Sequence, residues 1–279
     1  MCGILAYISN NNIYNSKVKK IKQLMQSRGP DNQSYQKYLF GKKYIHFFHS
    51  RLSIQDLEKR SNQPFIYNDY VIIFNGEIYN FKSLKKKLPH KLKTLSDTEV
   101  ILHYYSIYKE ACFKYFEGMW SIIIFDKKKN KIIISRDRCG EKPLFLYKKN
   151  NEIIFASELR YINEILDNKL NFNNNKINKF LHYGYKSLFK DNETFFKEVN
   201  HFKKGNIAII DKNLNFILRS YWSLKDHKKK RKHTLTEHIT NTKNLLVQSV
   251  GLRLIADTPT TLSLSGGIDS GAICSIASK

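Results

Sequence analysis

The sequence predicts an α+β chain: an antiparallel, β-rich region followed by the opening of an α/β unit. Two observations carry this. Short apolar runs separated by Gly- and Lys-rich turns crowd residues 120 to 156, the pattern of antiparallel meanders. Further along, an apolar segment from Thr260 to Leu264 runs into Ser265-Gly266-Gly267-Ile268-Asp269-Ser270 and then an apolar helix start. Strand, Gly-rich loop and helix in that order open a parallel α/β unit.

Each element follows from spacing. Gly3 to Ile8 is an apolar opening strand. Val18, Ile21, Leu24 and Met25 recur at helical intervals, and Arg28-Gly29-Pro30-Asp31 breaks that helix. Strands are expected at Tyr44 to Phe48 and at Tyr70 to Phe74, the second giving way to a turn at Asn75-Gly76-Glu77 and then a helix through Phe81, Leu84 and Leu88. Ser96 with Glu99 forms a capping box for a helix through Ile101, Tyr104 and Tyr108. Strands follow at Trp120 to Phe125, Lys131 to Ser135, Leu144 to Tyr147 and Glu152 to Ala156, and the region closes near Tyr221-Trp222. Thr234 and Glu237 make a second capping box, opening a helix through Ile239, Leu246, Val250 and Leu254. The organisation expected is therefore a domain over 1–222, a basic linker over 223–233, and a second, incomplete domain over 234–279.

Composition excludes several classes. Hydrophobic residues make up 42% of the 279 and aromatics 13%, which fits a packed protein and not a disordered one. No run of about 18 apolar residues is present, so no membrane span is expected. Gly3 to Ile8 is too short for a signal peptide and follows no basic segment. Cys2, Cys112, Cys139 and Cys274 lack metal-ligand spacing. A reducing, cytoplasmic setting is expected, with the last three cysteines in the core. The net charge of +24 is spread along the chain beside Asn and Ile. It therefore argues against a specific nucleic-acid partner, and the dense run Lys225 to Lys232 reads as a solvated linker.

The chemistry sits in three places. Cys2 follows Met1 directly. Once the methionine is removed, one residue holds both a thiol and an α-amine that titrates near pH ~8, a nucleophile with its own base. Asn75-Gly76 can supply a side-chain N–H and a backbone N–H to a developing oxyanion, and Gly76 permits a backbone geometry that a β-carbon would obstruct. Arg51 offers a fork for a carboxylate, while Glu77 and Asp97 suit an ammonium. The Ser265–Ser270 loop lacks the Gly-Lys-Ser/Thr of a Walker A motif, yet its glycines and helix N-terminus suit phosphate and Ser265 and Ser270 add hydroxyls. Asp269 can face the magnesium that accompanies ATP.

These stretches, with Arg28-Gly29-Pro30-Asp31, Arg51-Leu52-Ser53-Ile54, Asn75 to Asn80, Glu117-Gly118-Met119, Arg136-Asp137-Arg138, Gly140 to Leu144 and Ala156-Ser157-Glu158, resemble the glutamine-dependent asparagine synthetases. The resemblance implies an Ntn-hydrolase αββα sandwich, a class II glutamine amidotransferase, followed by an ATP-pyrophosphatase (PP-loop) domain. It implies Cys2 as nucleophile, Asn75 and Gly76 as oxyanion hole, and Arg51, the backbone of Leu52, Ser53 and Ile54, Asn75, Gly76, Glu77 and Asp97 around glutamine. Leu264, Ser265, Gly266, Gly267, Asp269 and Ser270 would hold ATP, with Mg2+ facing Asp269. The glutaminase needs no cofactor. Ammonia would pass to a carboxylate adenylated by ATP, usually that of aspartate, in an enzyme that is commonly a homodimer. Gly140-Glu141-Lys142-Pro143 also resembles members linked to surface polysaccharides, so a sugar-acid acceptor is an alternative, and an inactive remnant is another. Because the second domain stops at Lys279, the chain is expected to hydrolyse glutamine without forming asparagine.

Overall fold

Runs such as Ile122-Ile123-Ile124-Phe125 and Ile132-Ile133-Ile134 have no polar member to turn outward, so a sheet built from them must be covered on both faces. The computed structural model describes residues 1–89, 91–149, 151–167, 169–227 and 234–278. Its elements are β1 (Gly3–Ser9), α1 (Asn15–Gln26), β2 (Asn32–Phe40), β3 (Lys43–Arg51), β4 (Phe65–Tyr67), β5 (Tyr70–Ile78), α2 (Phe81–Lys85), α3 (Asp97–Tyr108), β6 (Gly118–Asp126), β7 (Lys131–Arg136), β8 (Phe145–Lys149), β9 (Glu152–Ala156), α4 (Leu159–Ile165), α5 (Asn174–Tyr183), β10 (Val199–His201), β11 (Asn206–Asp211), β12 (Phe216–Ser220), α6 (Leu235–Arg253) and α7 (Ile268–Ala277).

The strands form two six-stranded sheets, ordered β10-β8-β9-β1-β3-β2 and β12-β11-β7-β6-β5-β4, with antiparallel pairs throughout. Alternation along each strand feeds two cores at once. Ile4, Ala6 and Ile8 of β1 meet Val71, Ile73, Ile123 and Phe125 between the sheets. Leu5 and Tyr7 turn the other way, onto Ile21 and Met25 of α1 and Tyr161 and Ile162 of α4. In the second sheet Ile122 and Ile124 pack under α3, against Ile101, Leu102 and Tyr105. The result is the expected αββα sandwich.

Several local expectations are corrected. Strand β5 does not end at Asn75. It pairs with β6 as far as Ile78, placing Asn75 opposite Ser121 and Gly76 opposite Trp120. Ser96 caps α3 by accepting from Thr98 N, but the Glu99 carboxylate goes to the Lys93 and Thr94 amides, so there is no reciprocal box. The Thr234–Glu237 box is formed in both directions. Residues 260–264 are not a strand, because no described segment pairs with them. Cys112 is buried, whereas Cys139 is exposed on a tight turn and Cys274 is half-buried on α7. Most of the basic run, residues 228–233, lies outside the described residues. Strand β2 was not anticipated, since it is an edge strand of largely polar residues. No helix among the described residues is long and apolar enough to cross a membrane.

Truncating Ile123, fully buried between the sheets, to alanine is expected to cost about 2–5 kcal/mol of stability in urea unfolding. Ile217→Ala, at an exposed β12 position, should stay within about 0.5 kcal/mol. Equal effects would contradict the inter-sheet core.

Candidate active site

One pocket draws on both sheets. Cys2, Arg51, Leu52, Ile54, Asn75, Gly76, Glu77 and Asp97 line it together, around roughly 530 Å³ of empty space that includes its open mouth. Ser53 is outside the lining, its N–H given to Asp31 Oδ2 at 2.6 Å. Asp31 belongs to the Arg28–Asp31 turn, which lies directly on β3: a β-carbon on Gly29 would come within 2.3 Å of the Ser50 carbonyl carbon. That turn therefore supports the backbone beside the pocket.

Cys2 stands immediately before β1. Leu52 N lies 3.4 Å from its Sγ and Leu52 O 3.6 Å, and Arg28 Nε donates to its carbonyl at 2.9 Å. Burial pushes the thiol pKa up, opposed by the Leu52 amide, the N-terminal amine and Arg51. Burial also pushes the terminal amine, here that of Met1, below its usual value. Both shifts favour the neutral forms: they leave the amine unprotonated, while the raised thiol holds its proton against transfer.

The donors at Asn75 and Gly76 follow from strand geometry. The N–H groups of residues i and i+2 on a strand point the same way. Phe74 N is taken by Gln63 Oε1 at 2.6 Å and Ile78 N by Asp97 Oδ2 at 2.9 Å, both outside the sheet ladder. The Gly76 N–H between them therefore aims to the pocket side. Asn75 Nδ2 is buried without a hydrogen-bond partner among the described residues, a state that ordinarily costs about 1–3 kcal/mol. Glycine at 76 is required by close approach, since a β-carbon would sit 2.1 Å from Met119 O and 2.7 Å from Trp120 Cα.

Arg51 is buried, and its two terminal nitrogens hold the following loop. Nη1 donates to Glu58 O and Asn62 Oδ1, both at 2.8 Å, and Nη2 to Gln55 O at 3.2 Å and to Asp56 O. It shapes the pocket wall through these bonds. Asp97 is pushed up to about 7 by burial and by the charge of Glu77, against the pull of the Ile78 N–H. Glu77 is raised by burial and lowered by Lys142.

Lys142, in the Gly140 to Leu144 stretch, also lines the same pocket, a place its sequence context does not indicate. Burial lowers its pKa, while Glu77 and the Cys2 thiolate raise it. It is delivered by Asp137, fully buried, which accepts from Trp120 N at 3.2 Å, Cys139 N at 3.0 Å, Gly140 N at 2.6 Å, Glu141 N at 2.9 Å and Lys142 N at 3.0 Å. The available signal was an aspartate just ahead of Gly140 and Pro143. Gln63 and Thr98, bonded at 3.3 Å, complete the wall and carried no motif.

The Ser265–Ser270 loop is elsewhere and exposed. Ser265 Oγ and Ser270 Oγ are 3.0 Å apart, and Ser270 Oγ donates to Gly267 O at 3.1 Å. Gly266 has φ +79° and a β-carbon there would meet nothing within 4 Å, so conformation demands glycine while the space beside it stays open. Gly267 precedes the first turn of α7, which contains Asp269. The open cradle, paired hydroxyls and helix start fit a phosphate chain.

Comparison with known proteins agrees with this geometry. A glutamine amidotransferase domain model matches residues 1–222 and an asparagine synthase model residues 241–279. A putative glutamine-hydrolysing asparagine synthetase of Methanocaldococcus jannaschii is 34% identical over 99% of this chain and 56% of that protein. Asparagine synthetase 3 of Bacillus subtilis is 29% identical over 99% of this chain and 45% of its own. The solved glutamine phosphoribosylpyrophosphate amidotransferase of B. subtilis shares the fold, with TM-score 0.53 at 15% identity over 79% of this chain and 49% of that one. The fold is thus that of an Ntn-hydrolase glutamine amidotransferase. More narrowly, the chain belongs to the glutamine amidotransferase family whose model matches residues 1–222; it is similar to glutamine-hydrolysing asparagine synthetases and spans about half the length of the curated relatives it matches.

The raised Asp97 has a consequence for stability. An unfolded aspartate titrates near ~3.9. Its contribution is therefore complete below about pH 4 and is lost as pH rises through about 7. Asp97→Asn, neutral throughout, should gain thermal stability over the wild type between pH 4.5 and 8. A wild-type–mutant difference that does not change with pH would mean that Asp97 stays ionised.

Proposed function

We propose that this chain carries the glutaminase of a glutamine-hydrolysing asparagine synthetase, with Cys2 as nucleophile. The observation that carries the proposal is the unpartnered, buried Asn75 Nδ2 in the pocket that holds the cysteine. After methionine removal the Cys2 amine takes the thiol proton, and sulfur attacks the carboxamide carbon of glutamine. Asn75 Nδ2 and Gly76 N–H receive the oxyanion. The carbon–nitrogen bond then breaks, the amine returns its proton to the leaving ammonia, and water hydrolyses the thioester to glutamate. Glu77 and, as pH rises through about 7, Asp97 supply negative charge for the substrate ammonium, and Arg51 positive charge near its carboxylate.

The second site belongs to the other half-reaction. We place the glutaminase at 1–222, the linker at 223–233 and the start of the synthetase at 234–279. Leu264, Ser265, Gly266, Gly267 and Ser270 would hold the phosphates of ATP, and Asp269 would face Mg2+. ATP activates the acceptor carboxylate there. The names of the M. jannaschii and B. subtilis relatives support aspartate as that acceptor.

Ammonia release from glutamine should vanish in Cys2→Ala and fall about 10²–10³-fold in Asn75→Ala. Asp269→Asn should leave it unchanged. Full activity in Cys2→Ala would overturn the assignment.

A further inference from the structure

The rim of the glutamine pocket is held from outside its own sheets. Asp257, in the turn after α6, donates its backbone N–H to Ile54 O at 2.9 Å. Its Oδ2 accepts the Asp56 N–H at 2.7 Å. Ile54 and Gln55 line the pocket, and Arg51 donates to the Gln55 and Asp56 carbonyls. Asp56 also accepts the Leu95 N–H on Oδ2 at 2.7 Å, just ahead of Ser96 and Asp97. The strap 54–56 thus ties Arg51 to the approach of Asp97, and one residue of the synthetase segment bonds both of its ends.

The strap has reason to need that support. Asp56 has φ +45°, a left-handed conformation that a non-glycine residue keeps only when its surroundings impose it. The same segment is seated firmly nearby. Arg253 lies over the Tyr79 ring at 4.7 Å, Val250 is buried, and Ile255 packs against the core beneath α3.

We infer that Asp257 is a positioning residue for glutamine: its two bonds hold the 54–56 strap in the form that binds substrate, so the glutaminase pocket is complete only with the segment leading to the Ser265–Ser270 loop docked on it. The inference rests on the glutaminase reading above. It assigns a residue of the second unit to the first unit's substrate site.

The test compares the wild-type chain with Asp257→Ala and Asp257→Asn in glutamine hydrolysis and in amide hydrogen exchange at Asp56. Asp257→Ala should raise KM for glutamine roughly tenfold, with kcat within about twofold. Asp56 exchange should accelerate, and the Tm should change by no more than about 2 °C, since Asp257 is an exposed residue. Asp257→Asn, which keeps an acceptor oxygen, should recover most of the KM. Wild-type turnover with unchanged KM and unchanged Asp56 exchange in Asp257→Ala overturns this inference alone. Absence of turnover in the wild type overturns the glutaminase reading and this role with it.

Discussion

The stacking of two sheets that are apolar on both faces is the constraint on which the rest depends. Between them lies a layer built from β1, β2, β3, β5, β6, β7, β9 and β11, which fixes the separation and the offset of the sheets. Cys2 precedes a strand of one sheet, and Asn75 and Gly76 lie within a strand of the other. Their meeting in one pocket is a by-product of that stacking. Packing of this density transmits displacement, because buried side chains have no free volume in which to shift.

At one end of the stack the interior turns polar. Three such groups meet here: an unpartnered amide on Asn75, a carboxyl on Asp97 pushed up to about 7, and the half-buried Glu77 near the buried Lys142. Each is unfavourable in isolation. Together they give the pocket both an unused hydrogen-bond donor and titratable carboxyls. The backbone around them is correspondingly over-determined. Asp137 gathers five amides, Gln63 and Asp97 cap amides of β5, and Arg51 gathers the loop beyond β3. Such second supports keep donors aimed at a position before any ligand arrives.

The Ser265–Ser270 loop contrasts with this. Its hydroxyls and glycines are pre-arranged within one short segment, but they are exposed and local. Its connection to the glutaminase runs through the chain between α6 and α7, where Asp257 bonds the pocket rim. One backbone bond and one side-chain bond from Asp257 thus join this segment to the pocket rim.

The sequence by itself determined what local patterning and motif order can carry. Continuous apolar runs required doubly covered sheets, Thr234 and Glu237 wrote their own capping box, and Cys2, Asn75-Gly76 and the Ser265–Ser270 loop stood out as candidates through residue type and spacing. Tertiary structure decided whatever depends on residues far apart in the chain. Asn75-Gly76 sits inside a paired strand, since Gly118–Trp120 lies beside it, and no local signal encodes that neighbour. Glu99 leaves Ser96 for the amides of Lys93 and Thr94, which the fold brings within reach. Lys142 reaches the pocket because Asp137 folds its loop, and Asp257 meets Asp56 across about two hundred residues of chain. The reason is common to all of them: periodicity and capping are local energies written in adjacent residues, whereas register, burial and long-range bonds come into being only once the sheets have stacked.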